Sequence, residues 1–236
     1  MLENRINKDI LKEKLNQELF NRKTISFYKY FTIENPVEFR NQLYEEWFAL
    51  DCFGRIYVAR EGINAQMSVP EHHMDQFLEL LYAVPQLAGV PIKQAIEDNG
   101  KSFYKLTIKV RPKIVADGLE DNSIDLSKVG TYLSAIEFHN SVSDPDTIVV
   151  DMRNHYESEI GRFENAYCPD SDTFKEAIQT VVNKFKDEKD KQFLLYCTGG
   201  IRCEKASSFL IHNGFSHVAQ MHGGIIEYAQ QIKNKV

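Results

Sequence analysis

Missing from this sequence is any apolar run approaching the ~20 residues needed to cross a bilayer, so no membrane partner is expected. Cysteine is scarce. The four are Cys52, Cys168, Cys197 and Cys203, and no two form a Cys-x-x-Cys pair, which argues against both a zinc site and a disulfide framework. No signal peptide is legible in the polar, mixed-charge start Met1-Leu-Glu-Asn-Arg-Ile-Asn-Lys-Asp, so the expected setting is the cytoplasm, where thiols stay reduced. No surplus of positive charge exists either: the net charge is −6 over 236 residues, which excludes nucleic-acid binding through net charge alone. The deficit is uneven. Met1–Asp117 balances 16 basic against 16 acidic residues, whereas the remainder holds 12 against 18, so a local basic patch is better sought in the N-terminal half. There is no internal repeat and no low-complexity tract.

What is present divides into two α/β segments. From Lys23 to Ile114 the pattern reads βαββαβ, the order of a ferredoxin-like plait. Thr24–Ile33 reads as a strand, and Asn35-Pro36 opens a helix with Phe39, Leu43, Trp47 and Leu50 on one face. Phe53–Ala59 and Ile63–Val69 pair through Arg60-Glu61-Gly62; a helix follows Pro70, and Ser102–Val110 closes the set as the last strand. Ile6, Ile10, Leu11 and Leu15 suggest a short amphipathic arm before it. Residues 1–117 are therefore expected to form the arm plus plait, 118–129, with Asp121-Asn122, a linker, and 130–236 a second domain. In that domain helices over Gly130–His139, from Ser171, over Glu204–Asn213 and from Gly224 alternate with strands Thr147–Asp151, Phe193–Cys197 and His217–Met221. Such alternation implies a parallel sheet, with chemistry beyond the strand C-termini.

Cys197 falls at such a terminus. Phe193-Leu-Leu-Tyr reads as a buried strand, and Cys197-Thr198-Gly199-Gly200-Ile201-Arg202 as a loop leading into a helix. The glycines let backbone N–H groups turn inward over a helix N-terminus, and donors and dipole together lower a thiol pKa. Two chemistries use such a cradle, a cysteine phosphatase and a persulfide carrier. The Cys-x4-Arg spacing is shorter than the Cys-x5-Arg a phosphate needs and suits one terminal sulfur. The bland alternative is a structural cysteine ending a strand. Cys203, just past the loop, reads either as a resolving thiol for Cys197 or as a small residue at a helix start.

The sequence here resembles the rhodanese family. Asp151-Met-Arg153, Glu157, Gly161 and Asn165-Ala166 follow that family's strand–loop pattern, with Arg162 or Phe163 where histidine is usual. Gly223-Gly224-Ile-Ile-Glu-Tyr228 follows its closing helix, with Tyr228 in place of tryptophan. The resemblance implies Cys197 as the nucleophile, residues 198–202 as its cradle, and Asp151, Arg153 and Glu157 as supports. Longer blocks resemble one narrower family, the oxygen-dependent tRNA uridine-34 hydroxylases: Thr24-Ile-Ser-Phe-Tyr-Lys-Tyr-Phe, Glu61-Gly-Ile-Asn-Ala-Gln, Ile114-Val-Ala-Asp-Gly, Asp151-Met-Arg-Asn-His-Tyr-Glu and Cys197-Thr-Gly-Gly-Ile-Arg-Cys-Glu-Lys. That resemblance implies 5-hydroxylation of the wobble uridine of tRNA with dioxygen as co-substrate and Cys197 required. Many members continue into a cysteine-rich tail, and this sequence reaches Lys235-Val236 without one. The residues identify no cofactor and no oligomeric state. Two other readings stay open: a sulfurtransferase taking sulfane sulfur from a small donor, and a non-catalytic RNA-binding module.

Lesser constellations carry less. His155-Tyr156-Glu157 has the His-x-Glu spacing of an iron site, but Glu157 already belongs to the rhodanese pattern and no third ligand is evident. Lys101, Lys105, Lys109, Arg111 and Lys113 all have odd numbers, so on one strand they would form a basic stripe for phosphates, with Phe103 and Tyr104 as candidate stacking groups. The alternative is an ordinary solvated sheet face.

Overall fold

The computed structural model of the chain describes residues 7–95, 98–120 and 123–232. Ile6 of the expected arm and Asp121-Asn122 of the expected linker lie outside the described residues. Two compact units divide at Ile114/Val115.

The first unit runs α1 (Lys8–Gln17), β1 (Arg22–Tyr30), α2 (Pro36–Ala49), β2 (Phe53–Ala59), β3 (Gly62–Pro70), α3 (Met74–Ala83), β4 (Lys93–Gln94) and β5 (Leu106–Val110). Helix α2 starts where Asn35 caps it: the side chain accepts from Glu38 N, and Pro36 fills the first turn. Its Leu43 and Trp47 are fully buried, with the Trp47 ring 5.6 Å from Phe77 of α3 and 6.3 Å from Phe27 of β1. Alternation puts Ile25, Phe27, Ile56, Val58, Ile63, Ala65, Met67, Leu106 and Ile108 into the core under these helices.

The plait is present, but its closing strand is not the expected one. The sheet order is β4-β1-β3-β2-β5. Two-residue β4 takes the place beside β1, antiparallel, and β5 adds a fifth strand parallel to β2 at the far edge. A two-residue strand has no periodicity to read, which is why the last strong strand pattern was assigned its role. The basic stripe changes with it. The strand covers only Leu106–Val110, so Lys109 alone of the five lies in it; Lys101 and Lys105 precede it, and Arg111 and Lys113 follow it.

The second unit runs β6 (Thr131–Leu133), α4 (Ala135–Val142), β7 (Thr147–Asp151), α5 (His155–Ile160), α6 (Phe174–Lys184), β8 (Gln192–Tyr196), α7 (Ile201–His212), β9 (His217–Met221) and α8 (Gly224–Ile232). Its sheet, in order β6-β9-β8-β7, is parallel throughout. Helices α6 and α7 cover one face, α4 and α8 the other. Three expectations shift. Thr131–Leu133 is an edge strand rather than a helical turn, because Ser134 and Glu137 form a capping box that starts α4 at Ala135. Thr173, not Ser171, caps α6, its hydroxyl accepting from Glu176 N at 3.2 Å. Helix α7 begins at Ile201, so Arg202 and Cys203 sit in its first turn.

Residues 115–117, expected in the first domain, belong to the second unit, and together with the expected linker they are packed rather than free. Val115, Leu119 and Ile124 lie against the core under α6 and α7. Asp117 and Lys205 of α7, each with 1% exposed side chain, form a buried ion pair, and Ser208 Oγ donates to Asp125 O at 2.9 Å.

Candidate active site

Strand β8 is central, buried on both faces, and delivers Cys197 beyond its C-terminal end. Gly200 has φ +100°, a conformation L side chains rarely adopt, and folds the loop back so that its N–H donates to Cys197 Sγ at 3.1 Å. The Arg202 and Cys203 backbone and the Cys203 thiol, at the start of α7, further favour negative charge on that sulfur. Burial by itself pushes the Cys197 thiol up. These donors and the Arg202 charge outweigh it and bring the pKa down to about 5, so the group is a thiolate at neutral pH. Cys203 moves the other way: burial and the neighbouring Cys197 hold it protonated, its pKa well above the ordinary thiol range. Cys197 has no exposed surface, while Thr198 and Gly199, which follow it, are half-exposed.

Arg202 does not project as an open anion hook. Its guanidinium grips Glu157 with two hydrogen bonds, at 2.8 and 2.9 Å, and donates to Thr198 Oγ1 at 2.8 Å. Thr198 Oγ1 in turn donates to Glu157. Burial would raise the Glu157 carboxyl, but the bonds from Arg202 and Thr198 dominate and hold it down at about 2. Glu157 also accepts from Asn154 N at 3.1 Å, which ties α5 to the cysteine loop. Tyr156, beside it on α5, is 65% exposed.

Asp151, fully buried at the end of β7, accepts from Arg153 Nη2 at 2.7 Å, Ser158 Oγ at 2.9 Å and Tyr196 Oη at 2.8 Å. The same Arg153 Nη2 also donates to Gly161 O at 2.6 Å. Asp151 and Arg153 thus act on the strand end before Cys197, and Glu157 acts on the loop. Tyr196 and Ser158 are network members that sequence reasoning missed; a hydroxyl-bearing tyrosine immediately before the cysteine, after the apolar Phe193-Leu-Leu, was the available signal. From the other side, Ile225 N donates to Cys197 O at 2.9 Å. A Cβ on Gly224 (φ +70°) would fall 2.6 Å from that oxygen and 2.5 Å from Thr198 O, so the glycine is required for this close approach.

His155, the remaining candidate ligand of this unit, does not join this cluster. His155 Nδ1 lies 3.5 Å from Glu159 and Glu157 is committed to Arg202; among the described residues no group of three or more His, Cys, Asp or Glu side chains is placed to hold a metal. In the first unit, Glu61 Oε1 accepts from Ile114 N at 2.7 Å and Asn64 Nδ2 donates to Ile114 O at 3.4 Å, so this turn secures the unit's last residue. On the sheet face away from α2 and α3, register aligns Tyr28, Asn64, Tyr57 and Lys109 in one row, and Ser26, Gln66, Arg55 and Thr107 in the next. Arg111 lies over the Tyr57 ring at 5.7 Å and Lys93 over Tyr28 at 5.7 Å.

Comparison with known proteins agrees with this division. Residues 22–114 match the family model of the UPF0176 acylphosphatase-like domain, and residues 134–231 match that of the rhodanese-like domain. A tRNA uridine(34) hydroxylase of Photorhabdus laumondii is 50% identical over 236 residues, covering 100% of this chain and 67% of that protein. One of Leptospira interrogans is 51% identical over 234 residues, covering 99% of this chain and 64% of its own length. The chain thus spans about two thirds of the length of the curated relatives it matches. Among solved structures, a rhodanese-related protein of Thermoplasma volcanium shares 22% identity, covering 43% of this chain and 92% of that one, with a TM-score of 0.35.

Proposed function

The chain belongs to the tRNA uridine(34) hydroxylase family, and on that premise we propose that it converts the wobble uridine of tRNA to 5-hydroxyuridine, with dioxygen as co-substrate and Cys197 as nucleophile. The observation that carries this reading is the Cys197 sulfur, held as a thiolate by the Gly200 N–H at 3.1 Å and its neighbouring donors. A thiolate adds to C6 of uracil and forms a C6–S bond. The C5=C6 electron pair then localises at C5, which becomes able to react with dioxygen. One oxygen atom stays on C5; the other leaves as water, its two electrons and two protons coming from a pair of thiols that is oxidised to a disulfide.

The basic groups Lys109, Arg111 and Lys93 beside Tyr57 and Tyr28 suit phosphate contact and base stacking, and we assign tRNA binding to that sheet face of the first unit. Lys101, Lys105 and Lys113 remain candidate phosphate contacts from the flanking segments. With tRNA as substrate, the expected compartment is the cytoplasm. The test is nucleoside mass spectrometry of tRNA from cells carrying, lacking, or expressing the Cys197→Ala form of this gene. Loss of 5-hydroxyuridine derivatives in the last two supports the reading; its persistence in the Cys197→Ala strain overturns it.

A second reading, sulfur transfer through a Cys197 persulfide, is favoured by the loop's small Cys-x4-Arg ring. It predicts a 32-Da adduct on Cys197 after thiosulfate treatment (about the mass of one sulfur atom) that cyanide removes. Against it stands the pairing of Arg202 with Glu157, which neutralises the charge a small anionic donor would seek.

A further inference from the structure

The pairing of two thiols in one cradle carries the chemistry further. We infer that Cys203 is the second redox thiol of the reaction, yielding with Cys197 the two electrons that reduce the second oxygen atom to water. This rests on the hydroxylase reading above.

The geometry is specific to this pair. Cys203 stands in the first turn of α7, and Gly200 ties the two cysteines together: its N–H donates to Cys197 Sγ at 3.1 Å, its carbonyl accepts from Cys203 N at 2.9 Å, and both cysteines lie in one buried cluster. Both side chains are buried, Cys197 with 0% and Cys203 with 1% exposed, so a reactive oxygen intermediate formed at the cysteine would meet a thiol before it met water. Of the other two cysteines, Cys52 follows α2 in the first unit, and the Cys168 thiol contacts Ala166 O at 3.7 Å. The two protonation states are complementary, a thiolate to attack carbon and a thiol to deliver a proton.

The balance closes as follows. Addition of the Cys197 thiolate at C6 leaves an electron pair at C5. That pair bonds one atom of dioxygen, and protonation gives a C5 hydroperoxide. The Cys203 sulfur attacks the distal oxygen as its thiol proton passes to the oxygen on C5; the O–O bond breaks, Cys203 becomes a sulfenic acid and C5 keeps a hydroxyl. Loss of the C5 proton expels Cys197 from C6 and restores the double bond, releasing 5-hydroxyuridine. Cys197 thiolate then attacks the Cys203 sulfenic sulfur, forming a disulfide and releasing water. Uridine, dioxygen and two thiols have become 5-hydroxyuridine, water and one disulfide. A further turnover requires a cellular thiol or dithiol to reduce that disulfide.

The test is a single turnover. Reduced enzyme, freed of external thiol, is mixed in air with unmodified tRNA. The expected result is up to about one 5-hydroxyuridine per enzyme, with the Cys197/Cys203 peptide about 2 Da lighter through loss of two hydrogens. Turnover should then stall until a dithiol is added. Cys203→Ser is expected to lose at least tenfold of the thiol-free product and to recover on adding a small thiol, while tRNA affinity and melting temperature stay near those of the parent. Should Cys203→Ser and Cys203→Ala both match the parent without external thiol, or the parent keep both thiols after a turnover, the inference is overturned and the hydroxylase reading stands. Should the parent make no 5-hydroxyuridine with any thiol added, both fall. The disulfide measurement needs no variant, so a folding defect in Cys203→Ser leaves the outcome decidable.

Discussion

Cys52 and Cys197 are equally buried, at 1% and 0% exposure, yet they sit at opposite ends of the thiol range. Burial drives both up. At Cys52, in the turn that follows α2, only the Arg22 charge opposes it, Asp51 adds to it, and the pKa is pushed up to about 12. At Cys197 the fold has put backbone donors, a second thiol and Arg202 around the sulfur, and the pKa falls to about 5. Desolvation alone makes a cysteine inert. Reactivity comes from where N–H groups point, and therefore from the loop and from the start of α7.

The largest contrast to break is the ionisation itself. The pH profile of iodoacetamide alkylation, read by peptide mass spectrometry, should place Cys197 near pH 5, while Cys52 labels only in the unfolded chain. Similar profiles for the two would dissolve the comparison. Stability should carry opposite signs. The fold favours the ionised Cys197, whose contribution is complete above the ordinary value of 9.0 and fades as pH falls toward about 5. It favours the neutral Cys52, whose contribution is present below 9.0 and fades as pH rises toward about 12. Cys52→Ala should therefore flatten the alkaline limb of a stability–pH curve, and Cys197→Ala the limb between about 5 and 9.

This contrast was half legible in the sequence. Gly199-Gly200 after a buried strand announced a donor ring, and Arg202 six positions into the segment announced its length. Nothing in Asp51-Cys52-Phe53 resembles it. The capping boxes at Ser134/Glu137 and Thr173/Glu176 were written in the sequence too, and would have placed β6 and the start of α6. Other features depend on distance in the chain rather than on local pattern. The Glu157–Arg202 grip joins residues 45 positions apart, Tyr196–Asp151 likewise, and Asp117–Lys205 joins 88. No periodicity encodes these, and the last of them is why Asp117, expected at the end of the first domain, is instead anchored to α7.

That anchor offers the next test. Lys205 lies one turn beyond the donors that ring Cys197, and its ammonium is buried against Asp117. Lys205→Met leaves Asp117 charged and buried without its partner, which should cost about 3–5 kcal/mol in denaturant unfolding. Replacing both, as Lys205→Met with Asp117→Leu, should recover much of that loss, since two apolar side chains need no solvent. If the single variant unfolds like the parent, α7 is held by its apolar face alone, and the frame around Cys197 owes nothing to the pair.

The smallest expected effect is the most discriminating, because it separates charge from backbone within the Cys197 cradle. Arg202→Gln removes the positive charge but leaves the Gly200 and Cys203 donors in place. The Cys197 alkylation midpoint should rise by about one pH unit and stay well below the ordinary thiol value. Glu157, losing its two bonds from the guanidinium, should titrate at higher pH than before, so the acid limb of stability that it contributes moves upward. A midpoint that returns to the ordinary range would mean that Arg202 alone holds the thiolate and that the backbone ring is incidental. An unmoved midpoint would mean that Glu157 already cancels the guanidinium, leaving backbone donors and the Cys203 thiol as the whole difference between Cys197 and Cys52.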